Sequence, residues 1–143
     1  MDCLKTVVVS GYFDPLHVGH IEYLELAKSL GDRLIVIVNN DKQATLKKGE
    51  SFMGQEDRLV IVGALRCVDN VFLSIDNGKD VCESLAFLKP DIFANGGDRK
   101  RGFVPEVDIC ERLGIIPRYG VGGEKVESSS NLLTIQESKI RGV

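Results

Sequence analysis

The sequence predicts an α/β fold: a doubly wound, five-stranded parallel sheet flanked by helices. Short, near-continuously apolar runs rich in β-branched residues alternate along the chain with segments whose apolar residues have helical spacing. This alternation is typical of parallel strands joined by right-handed helical crossovers. The length of 143 residues, 43% of them hydrophobic, suits one packed core. We therefore expect residues 1–143 to form a single domain of Rossmann-like architecture.

Five segments have the composition of buried strands. They are residues 4–10, 33–39, 70–73, 91–94 and 115–119. Between them, apolar residues recur at three- and four-residue spacing and predict helices. The stripes are Ile21, Leu24, Ala27 and Leu30; Leu59, Val62, Leu65 and Val68; Val81, Leu85 and Leu88; and Val107, Cys110 and Leu113. A last helix is expected from Ser128 onward.

Turn and cap residues agree with these helices. Gly31 and Gly114 follow the first and fourth helices, where a left-handed residue often ends a helix. Pro105 suits the first turn of the fourth helix. Residues 40–54 are polar and contain lysines. At about 15 residues this stretch exceeds a usual connection, so we expect a functional loop there.

Composition excludes several classes of protein. The net charge of −3 argues against a general nucleic-acid binder, which usually has an excess of basic residues. No apolar run approaches the about 20 residues of a membrane span, and the N-terminus lacks the layout of a signal peptide. The four cysteines are widely spaced and form no C-x-x-C pair, so a zinc site or disulfide framework is not expected. We expect a cytoplasmic protein.

The strongest local signal follows the first strand directly. Residues 11–20 read Gly-Tyr-Phe-Asp-Pro-Leu-His-Val-Gly-His. His17 and His20 lie three apart at the start of the first helix, so they share a face beside free backbone N–H groups, a place that attracts phosphate. Half of a metal site and a purely structural pair remain alternatives. No G-x-G-x-x-G or Walker motif follows the strand, which disfavours a dinucleotide-binding domain and a Walker ATPase.

Residues 11–20 resemble the signature of the cytidylyltransferase-like nucleotidyltransferase superfamily. Within it, the chain is most similar to heptose-phosphate adenylyltransferases and glycerol-3-phosphate cytidylyltransferases. The resemblance continues in later blocks: Gly-Asp-Arg-Leu-Ile-Val at 31–36, Asn-Asn-Asp at 39–41, Leu-Lys-Lys-Gly-Glu-Ser at 46–51, Gln-Glu-Asp-Arg at 55–58, Asn-Gly-Gly-Asp at 95–98 and Ser-Ser-Ser-Asn at 128–131. Ser-Thr-Thr is usual in the last block, and its hydroxyls are retained here.

The resemblance implies roles for individual residues. Catalytic roles fall to His17, His20, Lys48 and Arg58. Nucleotide contacts fall to Gly11, Tyr12, Phe13, Asp14, Gly19, Gly96, Gly97, Asp98, Ser128, Ser129 and Ser130. Acceptor contacts are assigned more weakly, to Lys47, Arg99 and Lys125. Lysines reach phosphates as mobile point charges, and Lys48 is preferred over Lys47 by position.

The implied reaction joins a nucleoside monophosphate to a small phosphorylated metabolite and releases pyrophosphate. Such a displacement needs positioning and charge neutralisation more than covalent chemistry. We expect ATP and a sugar phosphate such as a heptose phosphate, with CTP and glycerol 3-phosphate as the alternative. Mg²⁺ is expected with the triphosphate and no protein metal site, and a homodimer is expected by analogy. A nucleotide sensor without turnover is the other class of function left open.

Overall fold

The computed structural model describes residues 4–96 and 105–121 of the chain. Five strands and five helices lie in these ranges, in the order β1 (Thr6–Gly11), α1 (Val18–Lys28), β2 (Arg33–Val38), α2 (Asp41–Lys48), α3 (Gln55–Gly63), β3 (Asn70–Leu73), α4 (Cys82–Leu88), β4 (Ile92–Ala94), α5 (Pro105–Leu113) and β5 (Ile116–Arg118). None of the described helices is long and apolar enough to cross a membrane. The predicted α/β class is confirmed.

The strands form one sheet in the order β3-β2-β1-β4-β5, and every described pairing is parallel. The chain moves outward from β1 to β3 and then returns to the other side of β1 to form β4. The strand order therefore reverses between β1 and β4. A crevice opens at such a reversal beyond the carboxyl ends of the strands, and open α/β sheets bind their ligands there.

Successive residues of the central strand belong to different cores. Val7 and Val9 pack on one face of the sheet with Leu24 of α1 and Val62 of α3, whereas Val8 packs on the other face in a second cluster. The second cluster includes Leu85 of α4 and Cys110 of α5. Because both faces of β1 are covered, its run of valines is continuous rather than alternating with polar residues.

The prediction of a loop at residues 40–54 is wrong for the first half of this stretch, which forms α2. The helix begins with a capping box. The Asn40 side chain accepts from the backbone N–H of Gln43 at 2.9 Å, and the Gln43 side chain accepts from the backbone N–H of Asn40 at 3.0 Å. Buried Ala44 anchors the helix, which ends at Gly49 with φ of 92°. Capping stabilises this short polar helix, which lacks the apolar stripe used for the other predictions.

The two glycines predicted to end helices have different roles. Gly114 follows α5 and has φ of 73°, as predicted. Gly31 does not have a positive φ; a Cβ there would lie 2.8 Å from the Lys5 carbonyl oxygen and 2.7 Å from a Val7 methyl group. Close packing between chain segments therefore requires Gly31. The helix predicted from Ser128 lies outside the described residues.

Candidate active site

A cavity of about 560 Å³ lies at the carboxyl end of β1, beside the reversal of strand order. Ten residues line it: Ser10, Gly11, Tyr12, Phe13, Asp14, Pro15, His17, His20, Tyr23 and Lys47. Seven of these were predicted site residues. The signature loop and the histidine pair therefore meet in one space, on the side of the sheet where a parallel fold places its ligands.

The two histidines are held by the backbone of the α1 N-terminus. His17 is the N-cap, and its Nδ1 accepts from the Gly19 N–H at 3.1 Å. The Nδ1 of His20 accepts from the His17 backbone N–H, also at 3.1 Å. The two rings stack with centroids 3.8 Å apart. A ring nitrogen that accepts a hydrogen bond carries no proton, so the proton of each neutral ring is on Nε2, which is left as a donor.

Burial keeps His20 neutral. It lowers the pKa of His20 from 6.5 to about 4, with a smaller contribution from neighbouring His17. At neutral pH the ring therefore acts as a hydrogen-bond donor without a full charge. The sequence could place the two rings together, but it could not show which nitrogen carries the proton.

Lys47 of α2 is the described cation at the cavity. Its ammonium lies 4.6 Å from the centroid of the Tyr12 ring, a cation–π distance. Burial raises the pKa of the Tyr12 phenol, so it stays protonated at neutral pH. Lys48 was preferred by position and ends α2, but its side chain lies outside the described part of the chain.

The turn between the strand and the histidines has an unusual backbone. Phe13 is buried and has φ of 53°, a left-handed conformation that costs a non-glycine residue energy. The Phe13 ring fills the space next to Gly11, where a Cβ would lie 2.7 Å from it. After the turn, both carboxylate oxygens of Asp14 accept backbone N–H groups, from Phe52 and Met53 at 2.7 Å each.

Arg58 is buried and is not among the residues that line the cavity. The guanidinium is 0% exposed, and its nitrogens donate to the carbonyls of Met53, Tyr12 and Asn39 at 2.9, 2.9 and 2.6 Å. A fourth bond joins it to the Asp41 carboxylate at 2.8 Å. A group with no exposed surface does not reach a ligand, so the structure does not support direct contact with a phosphate. Neighbouring Glu56 and Asp57 are exposed, and the sequence alone could not distinguish the buried arginine from this surface pattern.

Sequence reasoning missed Tyr23. It lines the cavity, and its hydroxyl donates to the Ala94 carbonyl at the end of β4, at 2.8 Å. Burial raises the pKa of this phenol strongly. The available signal was its position on α1, three residues after His20 and on the same face. Tyr23 thus joins the histidine helix to the strand on the far side of the crevice.

Of the remaining predicted site residues, two lie within the described ranges and seven lie outside them. Gly96 follows β4 and faces Tyr23, with space for a Cβ 3.8 Å from the ring. Gly19 lies in the first turn of α1. The remaining predictions fall on residues that the structure does not describe: Gly97, Asp98, Arg99, Lys125, Ser128, Ser129 and Ser130. Among residues 4–96 and 105–121, no group of three or more His, Cys, Asp or Glu side chains could hold a metal ion.

Comparisons with known proteins identify relatives of this chain. FAD synthase of Pyrococcus abyssi is 46% identical over 94 residues, covering 65% of this chain and 63% of that protein. The bifunctional protein HldE of Sulfurimonas denitrificans is 36% identical over 137 residues, covering 94% of this chain but only 27% of HldE. The chain thus spans less than two thirds of the length of these relatives.

A solved structure has the same fold. The crystal structure of a lipopolysaccharide core biosynthesis protein from Thermoplasma volcanium superimposes with a TM-score of 0.68 at 31% identity, covering 82% of this chain and 94% of that one. A family model described as cytidylyltransferase-like matches residues 8–122, which include the signature loop, most of β1 and all of β4. The chain therefore belongs to the cytidylyltransferase-like family.

Proposed function

We propose that the protein transfers a nucleoside monophosphate from ATP to a sugar phosphate that resembles a heptose phosphate. A phosphate oxygen of the acceptor attacks the α-phosphorus of ATP, and the bond from that phosphorus to the β-phosphate oxygen breaks. Pyrophosphate leaves, and the nucleotide and sugar are joined through a diphosphate. The observation that carries this proposal is the histidine pair: backbone N–H groups hold both Nδ1 atoms, and both residues line one cavity.

The histidines suit this displacement because its transition state redistributes negative charge over phosphate oxygens. His17 and His20 donate hydrogen bonds to those oxygens without reorientation, since each Nδ1 is already held by the backbone. Neither ring needs to form a covalent intermediate. The dipole of α1 adds a partial positive charge at the same place, because both histidines lie at the N-terminal end of the helix.

Lys47 supplies the mobile charge in this proposal. Its ammonium rests on Tyr12 and can move to a phosphate without leaving the cavity that both residues line. Lys48, Arg99 and Lys125 remain proposed phosphate contacts. Gly96, Gly97 and Asp98 remain proposed contacts of the base or ribose, and Ser128, Ser129 and Ser130 of the triphosphate.

Mg²⁺ enters the proposal with the nucleotide. The described residues include no cluster that could hold the ion, and both oxygens of Asp14 already accept backbone N–H groups. These residues are compatible with an Mg²⁺ ion that is coordinated by triphosphate oxygens and water, which is how the ion commonly binds in phosphoryl-transfer sites. When bound, the ion neutralises charge on the leaving pyrophosphate.

The relatives support ATP as the donor and a phosphate monoester as the acceptor. FAD contains an adenylate group, so an FAD synthase of this family joins adenylate to a phosphorylated flavin. This relative's 46% identity makes FMN a second candidate acceptor with the same chemistry. The lipopolysaccharide core biosynthesis protein, whose name refers to a saccharide, supports the sugar phosphate. A homodimer and a cytoplasmic location remain part of the proposal.

Release of pyrophosphate tests the proposal directly. Purified protein and Mg²⁺ are incubated with ATP or CTP and, in separate reactions, heptose phosphates, other sugar phosphates, glycerol 3-phosphate or FMN. ATP with a sugar phosphate is expected to give the highest kcat/KM. A preference for CTP with glycerol 3-phosphate, or for FMN, would replace the proposed substrates. Nucleotide binding without pyrophosphate from any pair would favour the sensor and overturn the proposal.

A further inference from the structure

The buried guanidinium of Arg58 connects separate segments around the cavity. Tyr12 belongs to the turn after β1, Asn39 follows β2, and Met53 lies in the connection between α2 and α3. Their three carbonyl oxygens and the Asp41 carboxylate surround one planar group. Arginine can satisfy four acceptors in this way because its donors are arranged in a rigid fork.

The hydrogen bond from Arg58 to the Tyr12 carbonyl lies next to Phe13, the residue of the signature loop with a left-handed backbone conformation. Phe13 has φ of 53°, and such conformations persist only where surrounding contacts impose them. Arg58 holds the carbonyl directly before Phe13, and the backbone of Phe52 and Met53 holds the Asp14 carboxylate directly after it. The strained residue is therefore fixed from both sides by the same stretch of chain.

The turn formed by Tyr12, Phe13 and Asp14 contacts the histidines. The Phe13 ring meets the His20 ring edge-on, with centroids 5.0 Å apart, and His20 Nδ1 accepts from the backbone of His17. On the other side, Asp41 is the first residue of α2, the helix that carries Lys47. Through its bonds to Tyr12 and Asp41, Arg58 is thus connected both to the proposed hydrogen-bond donors and to the proposed mobile cation.

We propose that Arg58 and Asp41 together position the Tyr12–Phe13–Asp14 turn and α2, and so aim the two histidines at the reacting phosphate without touching substrate. This inference rests on the proposed function for its kinetic consequence. Its structural part, control of the histidine rings by the buried Arg58 guanidinium and its Asp41 partner, is independent of any substrate.

Two variants test the proposal. Arg58→Lys keeps a cation but offers a single nitrogen to four acceptors. Asp41→Ala removes only the carboxylate of a side chain that is 48% exposed. The matched control is Arg112→Lys, which changes another Arg–Asp pair, with Asp108 at 3.0 Å, on the exposed face of α5. Circular dichroism first establishes which variants are folded.

The substrate-free readout is nitrogen NMR of the histidine rings against pH. In the wild type and Arg112→Lys, both rings are expected as the Nε2–H tautomer. In Arg58→Lys and Asp41→Ala, mixed tautomers are expected, and the pKa of His20 is expected to move from about 4 toward 6.5. Ring signals identical to wild type in both variants would overturn the proposal, even if no substrate pair is ever found.

The kinetic readout separates positioning from contact with a ligand. A displacement of about 1 Å can cost about 100-fold in rate, so kcat of Arg58→Lys is expected to fall about that much. KM for either substrate is expected to stay within about 3-fold of wild type. A KM raised 10-fold or more with unchanged kcat would instead indicate direct substrate contact and overturn the proposal. If Arg58→Lys does not fold, Asp41→Ala decides by the same two readouts.

Discussion

Acidification is expected to destabilise the protein through His20 in a defined pH range. The pKa of this ring is about 4 in the folded chain and 6.5 when it is exposed. Between these values the unfolded chain binds a proton that the folded chain does not, so the free energy of unfolding falls as pH drops from 6.5 toward 4. Above 6.5 both states hold the ring neutral, and His20 adds no pH dependence there.

The magnitude follows from the difference in pKa. One proton taken up only by the unfolded chain changes stability by at most about 1.4 kcal/mol per pH unit, which gives a ceiling of about 2 kcal/mol between pH 7 and pH 5. The ring is partly exposed at the cavity, where solvent weakens the effect. The expected contribution is therefore about 1 kcal/mol over that range.

Urea unfolding at pH 7, 6 and 5 measures this contribution when wild type is compared with His20→Asn. The asparagine keeps an oxygen that can accept from the His17 N–H but does not titrate. Subtracting the two profiles removes the effect of carboxylates common to both proteins. The wild type is expected to lose about 1 kcal/mol more than the variant between pH 7 and pH 5. Parallel profiles would refute the assignment of a buried, neutral His20.

Three further substitutions have definite expected outcomes. His17→Asn keeps an N-cap acceptor but removes the Nε2–H donor, so kcat for pyrophosphate release is expected to fall about 100-fold; a near-wild-type rate would contradict its role. Lys47→Met is expected to raise the KM for ATP about 10-fold and to leave the free energy of unfolding unchanged. Calorimetric titration with ATP would show the weaker binding. Gly11→Ala is expected to cost about 1–3 kcal/mol in urea unfolding, because its Cβ would lie 2.7 Å from the Phe13 ring; full stability would contradict that packing.

The sequence predicted the sheet well because the strands are buried on both faces. A run such as residues 33–38 is apolar after its first residue, and this pattern has few other interpretations. Helix α2 was missed because it has no apolar stripe, and its N-terminus depends on hydrogen bonds between Asn40 and Gln43. Capping boxes that pair asparagine with glutamine are short signals, and they are easily mistaken for a polar loop.

The candidate site was predicted as a set of residues but not as an arrangement. The signature loop, both histidines and Lys47 meet at one cavity, as the order of blocks along the chain indicated. Arg58 differs because burial of a charged group depends on partners distant in sequence, here Tyr12 and Asn39. The tautomers of the histidines likewise depend on backbone N–H groups, which motif spacing does not reveal.

The position of β1 has a consequence for how the protein assembles. β1 is the first of the described strands but lies in the middle of the sheet. Its neighbour β4 follows Asp91, which is joined by hydrogen bonds to Thr6 of β1, 85 residues away in sequence. During synthesis β1 can pair early with β2, while its other edge waits for β4 to leave the ribosome. Such distant pairing is slow and leaves a strand edge open to aggregation. The cavity lies beside the seam between β1 and β4, so a nascent chain can complete the cavity only after β4 has been synthesised.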